Sequence, residues 1–155
     1  GGKKTIALRV PSWCDKFTVN GQILPCENGF VYINTNGNTE LEIEMEFRLK
    51  YVFANTAVRH NRGCVALTYG PLVYCMEGVD NGESLGEISL ADGEAEFYFD
   101  SGLSLPCFSH PAIRKKVEGL YSDKVQITPI NAKFIPYFAY ANRGETDMRL
   151  WICYK

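Results

Sequence analysis

The sequence predicts an all-β protein with the architecture of an antiparallel β-sandwich. Many short segments alternate apolar and polar residues, as a strand with one buried face does. Turn signals such as Asn-Gly and Gly-Pro separate these segments. Aromatic residues, which favour strands, make up 13% of the 155 residues. Roughly ten short strands with turns between them are typical of a sandwich.

The first third of the chain is predicted to form consecutive strands. Residues 3–10 alternate along their whole length, and residues 29–35 form another strand-like run. Residues 17–24 predict a hairpin, because Asn-Gly at its centre supplies the positive φ angles that a two-residue type I′ turn requires. Residues 40–47 show the cleanest alternation, with apolar side chains on one face and glutamates on the other. This strand is therefore expected to have one wet face.

Beyond residue 50 the predicted strands are separated by longer irregular segments. Residues 51–57 are interpreted as a connection, and the acidic, Gly-rich residues 77–93 as a long surface loop. Residues 101–123 are expected to be irregular, with one or two helical turns around residues 112–120. The remaining strands are predicted at residues 64–68, 72–76, 95–100, 125–130, 134–141 and 148–154.

The bulk composition argues against two classes of partner. With 16 basic and 18 acidic residues the formal net charge is −2, which offers no concentrated basic surface for nucleic acid. No apolar run approaches the roughly 18 residues needed to cross a bilayer, so no membrane partner is expected. No signal peptide is visible at the Gly-Gly-Lys-Lys start. The compartment stays open between bacterial periplasmic or secreted and cytoplasmic.

The cysteines favour reduced thiols over a disulfide framework. Four of them lie in or beside apolar strand-like runs, where a free thiol behaves as a small buried hydrophobe. Disulfide frameworks are instead typical of short secreted chains with little core. No two cysteines have the spacing of a zinc knuckle, so no metal site is expected. The cysteines are Cys26 and Cys107 and, in apolar runs, Cys14, Cys64, Cys75 and Cys153.

No acid/base or nucleophilic site emerges from the sequence. Glycoside hydrolysis needs two carboxyl groups on opposite sides of a sugar, one of them with a raised pKa. The glutamates of residues 40–47 instead share the wet face of one strand and keep it soluble. His60 in a polar turn and His110 before Pro111 are interpreted as surface or hydrogen-bonding residues rather than general bases. The glutamates in that row are Glu40, Glu42, Glu44 and Glu46.

Aromatic side chains leave one binding function open. Aromatic residues in a sandwich mostly fill its core, but exposed rings could stack on sugars, as in carbohydrate-binding modules. The sequence alone does not show which rings are exposed. The candidates are Trp13, Tyr51, Phe53, Tyr137, Tyr140 and Trp151.

Three longer stretches carry a family resemblance. The first is L-R-V-P-S-W-C at residues 8–14, followed by V-N-G at residues 19–21. The second is V-R-H-N-R-G-C-V-A-L-T-Y-G-P-L-V-Y-C at residues 58–75, and the third is I-P-Y-F-A-Y-A-N-R-G-E-T-D-M-R-L-W-I at residues 135–152. In order and spacing they resemble the C-terminal part of the β-L-arabinofuranosidase family, glycoside hydrolase family 127, once a domain of unknown function. The resemblance covers nearly the whole chain.

This resemblance implies a parent protein with an N-terminal (α/α)6 helical barrel followed by two β-sandwich domains. In such enzymes the barrel holds the active site, a zinc-bound cysteine nucleophile with glutamate partners, and this chain has no positions that match those residues. Catalytic, cofactor-binding and metal-binding residues are therefore expected to be absent here, with zinc expected only in the barrel. Residues 1–52 would be the terminal strands of a first, truncated β-sandwich, and residues 53–155 the second, C-terminal β-sandwich.

Two functions follow as hypotheses. The leading one is a non-catalytic accessory β-sandwich region of a glycoside hydrolase, whose expected partner is the missing catalytic barrel of the same polypeptide. The alternative is a stand-alone carbohydrate-binding module, with carbohydrate as its partner. A self-contained hydrolase is disfavoured because no acid/base pair emerges. Since a truncated sandwich exposes strand edges, residues 1–50 are expected either to pack upon the second sandwich or to pair with another copy of the chain.

Overall fold

A computed structural model describes residues 2–154 and confirms the all-β fold with mainly antiparallel pairing. The chain divides into two compact units, Gly1–Leu49 and Lys50–Lys155. The strands are β1 (Lys3–Arg9), β2 (Lys16–Val19), β3 (Phe30–Asn36), β4 (Ile43–Glu46), β5 (Leu49–Phe53), β6 (Cys64–Tyr69), β7 (Leu72–Glu77), β8 (Ile88–Leu90), β9 (Glu96–Asp100), β10 (Leu105–Val117), β11 (Val125–Pro136), β12 (Met148–Arg149) and β13 (Ile152–Tyr154). The helical elements are α1 (Gly78–Asn81) and 3-10 turns at Arg59–Asn61, Leu85–Glu87 and Tyr137–Ala139. None of these helical elements is long and apolar enough to span a membrane.

The N-terminal unit contains two separate two-stranded sheets, in which β1 pairs with β3 and β2 pairs with β4. The predicted Asn-Gly turn is present: Asn20 and Gly21 have φ values of 50° and 72°, and a bridge joins Val19 to Gln22. The return strand predicted for this hairpin is absent, however. Apart from that bridge, β2 pairs with β4 instead. The turn type was therefore predicted correctly and the strand pairing was not.

Strand β4 differs from its prediction on one face. Its glutamates are exposed, as expected, but Ile43 and Met45 on the other face remain 40% and 43% exposed. The expectation of one buried face is therefore wrong within this unit. The reason is that β4 pairs only with the four-residue β2 among the described residues, so the unit supplies no further layer to cover the apolar side.

The C-terminal unit is built around one continuous hydrogen-bonded path. Its strands follow the order β12-β7-β11-β10-β8-β13-β6-β5, and β9 adds to β10. Because β6 also pairs with β7, the path returns on itself and encloses the core. The core centres on Phe108, which stacks on Phe134 with ring centroids 5.0 Å apart and lies 4.8 Å from Tyr74. All three rings are fully buried.

Strand β10 occupies residues 105–117 of the segment 101–123 that was predicted to be irregular, and it replaces the helical turns predicted around residues 112–120; residues 101–104 and 118–123 are irregular, as predicted. One edge of β10 pairs with β11 over ten successive residues, and the other edge pairs first with β9 and then with β8. Pairing on both edges satisfies the backbone more completely than one helical turn would, so tertiary context overrides the local helical propensity. Its partner β11 is one strand where two were predicted, and residues 137–139 form a 3-10 turn rather than more strand.

Two further predictions were wrong for short strands. Residues 51–57 were expected to be a connection, but Leu49–Phe53 forms β5. Residues 77–93 were expected to be a surface loop, but they contain α1, a 3-10 turn and β8, which lies buried between β10 and β13. The strand has only three residues, which is too short a run for a period of two to be recognised, so the pattern could not reveal β8. The strand predicted at residues 148–154 is interrupted, giving β12 and β13.

Candidate functional site

The row of glutamates lies on the solvent face of the N-terminal unit. All four side chains are exposed. Thr18 Oγ1 donates a hydrogen bond of 2.9 Å to Glu44 Oε2, and Lys16 forms an ion pair with Glu46. These contacts run between the paired strands β2 and β4, where opposite cross-strand neighbours stabilise the sheet. The row does not converge on a pocket that could hold a sugar between two carboxyl groups.

The two histidines lie in different environments. His60 is exposed in the 3-10 turn, whereas His110 is buried in β10. His110 Nδ1 lies 2.8 Å from the carbonyl oxygen of Pro111, which can only accept, so Nδ1 carries the proton. Its Nε2 then accepts the hydrogen bond from the Tyr51 hydroxyl, at 2.6 Å. Both ring nitrogens of His110 are thus engaged in hydrogen bonds within the fold.

The cysteines are free thiols in varied surroundings. Cys75 and Cys107 are fully buried in one hydrophobic cluster with Ile135 and Ala139. Burial, aided by the nearby charge of Glu77, raises the pKa of the Cys75 thiol to about 12, which suppresses the reactive thiolate. Among residues 2–154 no three or more His, Cys, Asp or Glu side chains are grouped so that they could hold a metal ion.

The candidate sugar-stacking rings divide into two groups. Phe53, Tyr137 and Tyr140 are exposed, whereas Tyr51, Trp13 and Trp151 are partly buried. The 3-10 turn at Tyr137–Ala139 also presents Phe138, 63% exposed, which was not among the sequence candidates. Three exposed rings therefore lie within four residues of one another, although the Tyr140 hydroxyl also donates to the Thr146 carbonyl at 3.4 Å.

The most concentrated polar feature is a group of five charged side chains, here called the charged cluster. Its members come from the end of β7, from α1, from the end of β9, from β11 and from the loop after the 3-10 turn at Tyr137–Ala139. They are Glu77, Asp80, Asp100, Lys133 and Arg143. None of them stands out in the sequence, because they are scattered over 67 positions of the chain and only the fold brings them together.

Arg143 and Lys133 share the three carboxylates between them. The Arg143 guanidinium donates from Nη1 to Asp80 Oδ1 at 2.9 Å and also pairs with the fully buried Glu77. Lys133 Nζ lies 2.7 Å from Asp100 Oδ2 and 3.1 Å from Asp80 Oδ1. Asp80 therefore bridges the two cations, and each charge in the cluster has at least one opposite partner.

Backbone contacts fix the segments that carry these charges. Glu77 Oε1 accepts a 2.7 Å hydrogen bond from the N–H of Ala141, which adopts a left-handed φ of 62°. The Asn81 side chain pairs with the backbone of Lys133 in both directions, accepting from its N–H at 2.8 Å and donating to its carbonyl at 2.9 Å. The amide thus replaces a neighbouring strand beside β11 and holds α1 against it.

The electrostatics of the cluster favour its charged forms. Desolvation is the largest single influence on Asp80 and raises its pKa, but the hydrogen bonds from Arg143 and Lys133 together outweigh it and leave the pKa below its ordinary value. The hydrogen bond from Lys133, followed by that from the Leu103 N–H, lowers the pKa of Asp100. Burial works against the charge of Lys133, yet the hydrogen bonds to Asp100 and Asp80 raise its pKa above the ordinary value.

This arrangement suits a structural role rather than acid catalysis. A glycosidase general acid needs a carboxyl group whose pKa is raised, and the shifts of Asp80 and Asp100 go the other way. Within the described residues the buried polar side-chain atoms all have hydrogen-bond partners, so none is left aimed at a missing ligand. The charged cluster ties α1, β9, β11 and the loop around Arg143 to one another.

The cluster gives the C-terminal unit a defined acid sensitivity. Lowered carboxyl pKa values stabilise the fold above the unfolded-state pKa near 4, and this contribution is lost as the pH falls through the folded-state values. We expect the urea midpoint to be constant above about pH 5 and to fall between roughly pH 4 and pH 2. The matched variant Lys133→Met removes the cation that lowers both pKa values. The urea midpoint of this variant should fall less steeply as the pH is lowered. An unchanged dependence of the midpoint on pH would exclude the cluster as the cause of the acid sensitivity.

Comparisons with known proteins agree on one family. The family model described as the glycoside hydrolase family 127 C-terminal domain matches residues 49–153. A non-reducing end β-L-arabinofuranosidase from Bifidobacterium longum is 36% identical over 93% of this chain. A crystal structure of a GH127 β-L-arabinofuranosidase from Geobacillus stearothermophilus T6 superposes with a TM-score of 0.85, at 32% identity and over 99% of the chain. A structure described as a glycoside hydrolase gives 0.81 at 29% identity, again over 99% of the chain.

The matches also agree in how much of each relative's length this chain covers. This chain spans 25% of the Bifidobacterium longum relative, 27% of the Geobacillus stearothermophilus chain and 28% of the third protein. It therefore corresponds to about a quarter of the length of each relative, and the matched family model is the one for the C-terminal domain.

Proposed function

The chain belongs to glycoside hydrolase family 127, and we propose that it is a non-catalytic accessory β-sandwich region that supports the catalytic part of a larger enzyme. The match of residues 49–153 to the C-terminal domain of that family carries the proposal. The relatives are about four times longer than this chain. Their remaining length would supply the (α/α)6 barrel, the partner that the resemblance implies.

The chemistry of the charged cluster is consistent with a scaffolding role. Its three carboxylates and two cations pair with one another and tie together segments that are far apart in sequence. A scaffold needs such fixed loops, because a docking surface made of mobile segments would lose entropy on binding. We propose that the cluster holds the loops of this end of the unit in a shape that the catalytic part can pack against.

The N-terminal unit supports a second part of the proposal. Its two sheets have two strands each, and the apolar side chains of Ile43 and Met45 stay exposed. We propose that residues 1–52 are terminal strands of a first β-sandwich, completed by other strands of the same polypeptide, and that residues 53–155 are the second. Self-association through the exposed strands stays a prediction.

Catalysis and zinc are proposed to belong to the larger protein alone. The donor groups of residues 2–154 do not fit a zinc site, since no three of them are placed so that they could hold a metal ion. Cys75 is held as a thiol by burial, whereas a zinc ligand must be deprotonated. The Bifidobacterium longum relative is a non-reducing end β-L-arabinofuranosidase, so we propose a terminal β-L-arabinofuranoside as the substrate of the parent enzyme.

The alternative function, a carbohydrate-binding module, also has an observation in its favour. The rings of Tyr137, Phe138 and Tyr140 are exposed on one 3-10 turn and the residue that follows it, and aromatic faces are suited to stacking on sugar rings. The same rings would serve equally well as a contact surface for the rest of the polypeptide. The two functions differ in whether the chain by itself binds sugar.

Calorimetric titration of the chain with β-L-arabinofuranosides and with arabinose-containing cell-wall glycans separates the two functions. The accessory role predicts no saturable binding up to millimolar sugar. Saturable binding that is lost in Phe138→Ala, but kept in Phe99→Ala, would contradict this and support the binding module. Phe99 is a suitable control because it is similarly exposed, at 68%, and lies on a different element, β9.

A further inference from the structure

Cys64 and Cys153 lie directly opposite each other on the neighbouring strands β6 and β13. Their sulfur atoms are 3.9 Å apart, and both side chains project from the same face of the antiparallel pair. We infer that these two thiols are a site of reversible oxidation, at which a small-molecule disulfide converts them into a cross-strand disulfide. The bond would covalently attach the last strand of the chain to β6.

The register of the two strands favours this bond. Tyr154 N–H donates to the carbonyl of Gly63 at 2.9 Å, which makes Tyr154 and Gly63 a hydrogen-bonded pair. In antiparallel strands such pairs alternate with non-hydrogen-bonded ones, so Cys64 and Cys153 form a non-hydrogen-bonded pair. Residues in such pairs have Cα atoms only about 4.5 Å apart, within the roughly 4.4–6.8 Å that disulfides span. Bond formation then needs side-chain rotation rather than movement of a strand.

The exposure of the two thiols sets the order of the reaction. Cys153 is partly exposed and Cys64 is buried. The Cys153 thiolate therefore attacks the small-molecule disulfide first, forming a mixed disulfide and releasing one thiol. The Cys64 thiolate then attacks Cys153 Sγ, breaks the mixed disulfide and releases the second thiol. The protein loses two protons and two electrons, and the disulfide reagent gains them as it becomes two thiols.

The surroundings of Cys64 make this a slow, selective reaction. Burial, followed by the hydrogen bond with Cys153, raises the pKa of the Cys64 thiol, although the charge of Arg149 partly opposes this. The thiolate is scarce at neutral pH, but its target sulfur lies beside it. The fully buried Cys75 and Cys107 are shielded from the reagent.

The test uses the full chain carrying Cys26→Ser, which removes the most exposed thiol. After incubation with oxidised glutathione, intact mass should fall by two hydrogens, and unreduced peptide mapping should link the peptides that contain Cys64 and Cys153. The thermal midpoint should rise by about 5 °C or more, because the bond closes a long loop, and should return on reduction. Further substitution of Cys64→Ala should leave glutathione attached to Cys153, since nothing displaces it.

Two results would overturn the inference. One is a chain that keeps both thiols open to alkylation, in denaturant, after prolonged incubation with the oxidant. The other is a mapped link that joins a different pair of cysteines. Both readouts use the protein with Cys64 and Cys153 intact, so they do not depend on the folding of a variant at either position.

Discussion

Replacing Arg143 by alanine is expected to lower the free energy of unfolding of the C-terminal unit by about 2–4 kcal/mol. Arg143 is the partner of Glu77, whose side chain has no solvent exposure, and it also pairs with Asp80. Removing one member of a buried ion pair leaves the other charge without compensation in a low-dielectric site, which is the main part of the loss. The expected loss lies toward the lower end of the range for removing one partner of a buried ion pair, because the Arg143 side chain is 26% exposed.

The measurement is urea unfolding followed by tryptophan fluorescence. The two tryptophans fall one in each unit, so a Trp13→Phe background leaves Trp151 to report on the C-terminal unit. Arg59→Ala is the matched control, because Arg59 is exposed in the same unit, and it should change stability by less than about 0.5 kcal/mol. The double variant Arg143→Met with Glu77→Gln should recover part of the loss, since no buried charge is left unpaired. Equal effects of Arg143→Ala and Arg59→Ala would mean that the cluster does not stabilise the unit.

Replacing Phe108 by alanine is expected to cost about 3–5 kcal/mol in the same unit. The Phe108 ring is fully buried and is the ring that joins the aromatic core: it stacks on Phe134 and lies 4.8 Å from Tyr74 and 5.2 Å from Phe97. Truncation removes its burial and opens a cavity among three rings that belong to different strands, which limits how far they can close over it.

Phe99→Ala is the matched control for this prediction. Phe99 is the same residue type in strand β9, but it is 68% exposed. Its truncation should cost about 1 kcal/mol or less. The comparison uses the shift of the urea midpoint for each variant in the Trp13→Phe background. If Phe99→Ala destabilised the unit as much as Phe108→Ala, the core would not be centred where the structure places it.

The sequence predicted the elements whose pattern is local. Alternating or continuous apolar runs identified β1, β3, β6, β7 and β9, and the Asn20-Gly21 dipeptide specified its turn. Strand β10 was not predicted because two of its inward positions carry a polar residue, His110, and a small residue, Ala112. These two residues hide the period of two. Strand β8 was not predicted because it has only three residues and lies within an acidic, Gly-rich segment. In each case the strand is specified by its neighbours rather than by its own pattern.

The charged cluster could not be predicted for a different reason. Its members are separated by up to 66 positions, and each looks like an ordinary surface charge in the sequence. Two weak signals were present: Glu77 directly follows a fully apolar strand, and Arg143 lies inside the stretch at residues 135–152 that carries the family resemblance. Neither signal identifies a partner, because the pairing depends on how β7, β9 and β11 are arranged in space.

The central prediction is that this chain has no catalytic activity of its own, and a hydrolysis assay tests it most directly. The purified chain is incubated with a chromogenic β-L-arabinofuranoside, with and without added zinc, and release of the chromophore is followed. No turnover above the buffer rate is expected in either condition. Turnover that co-elutes with the chain through gel filtration, in proportion to its concentration, would contradict it and would place an active site within these residues.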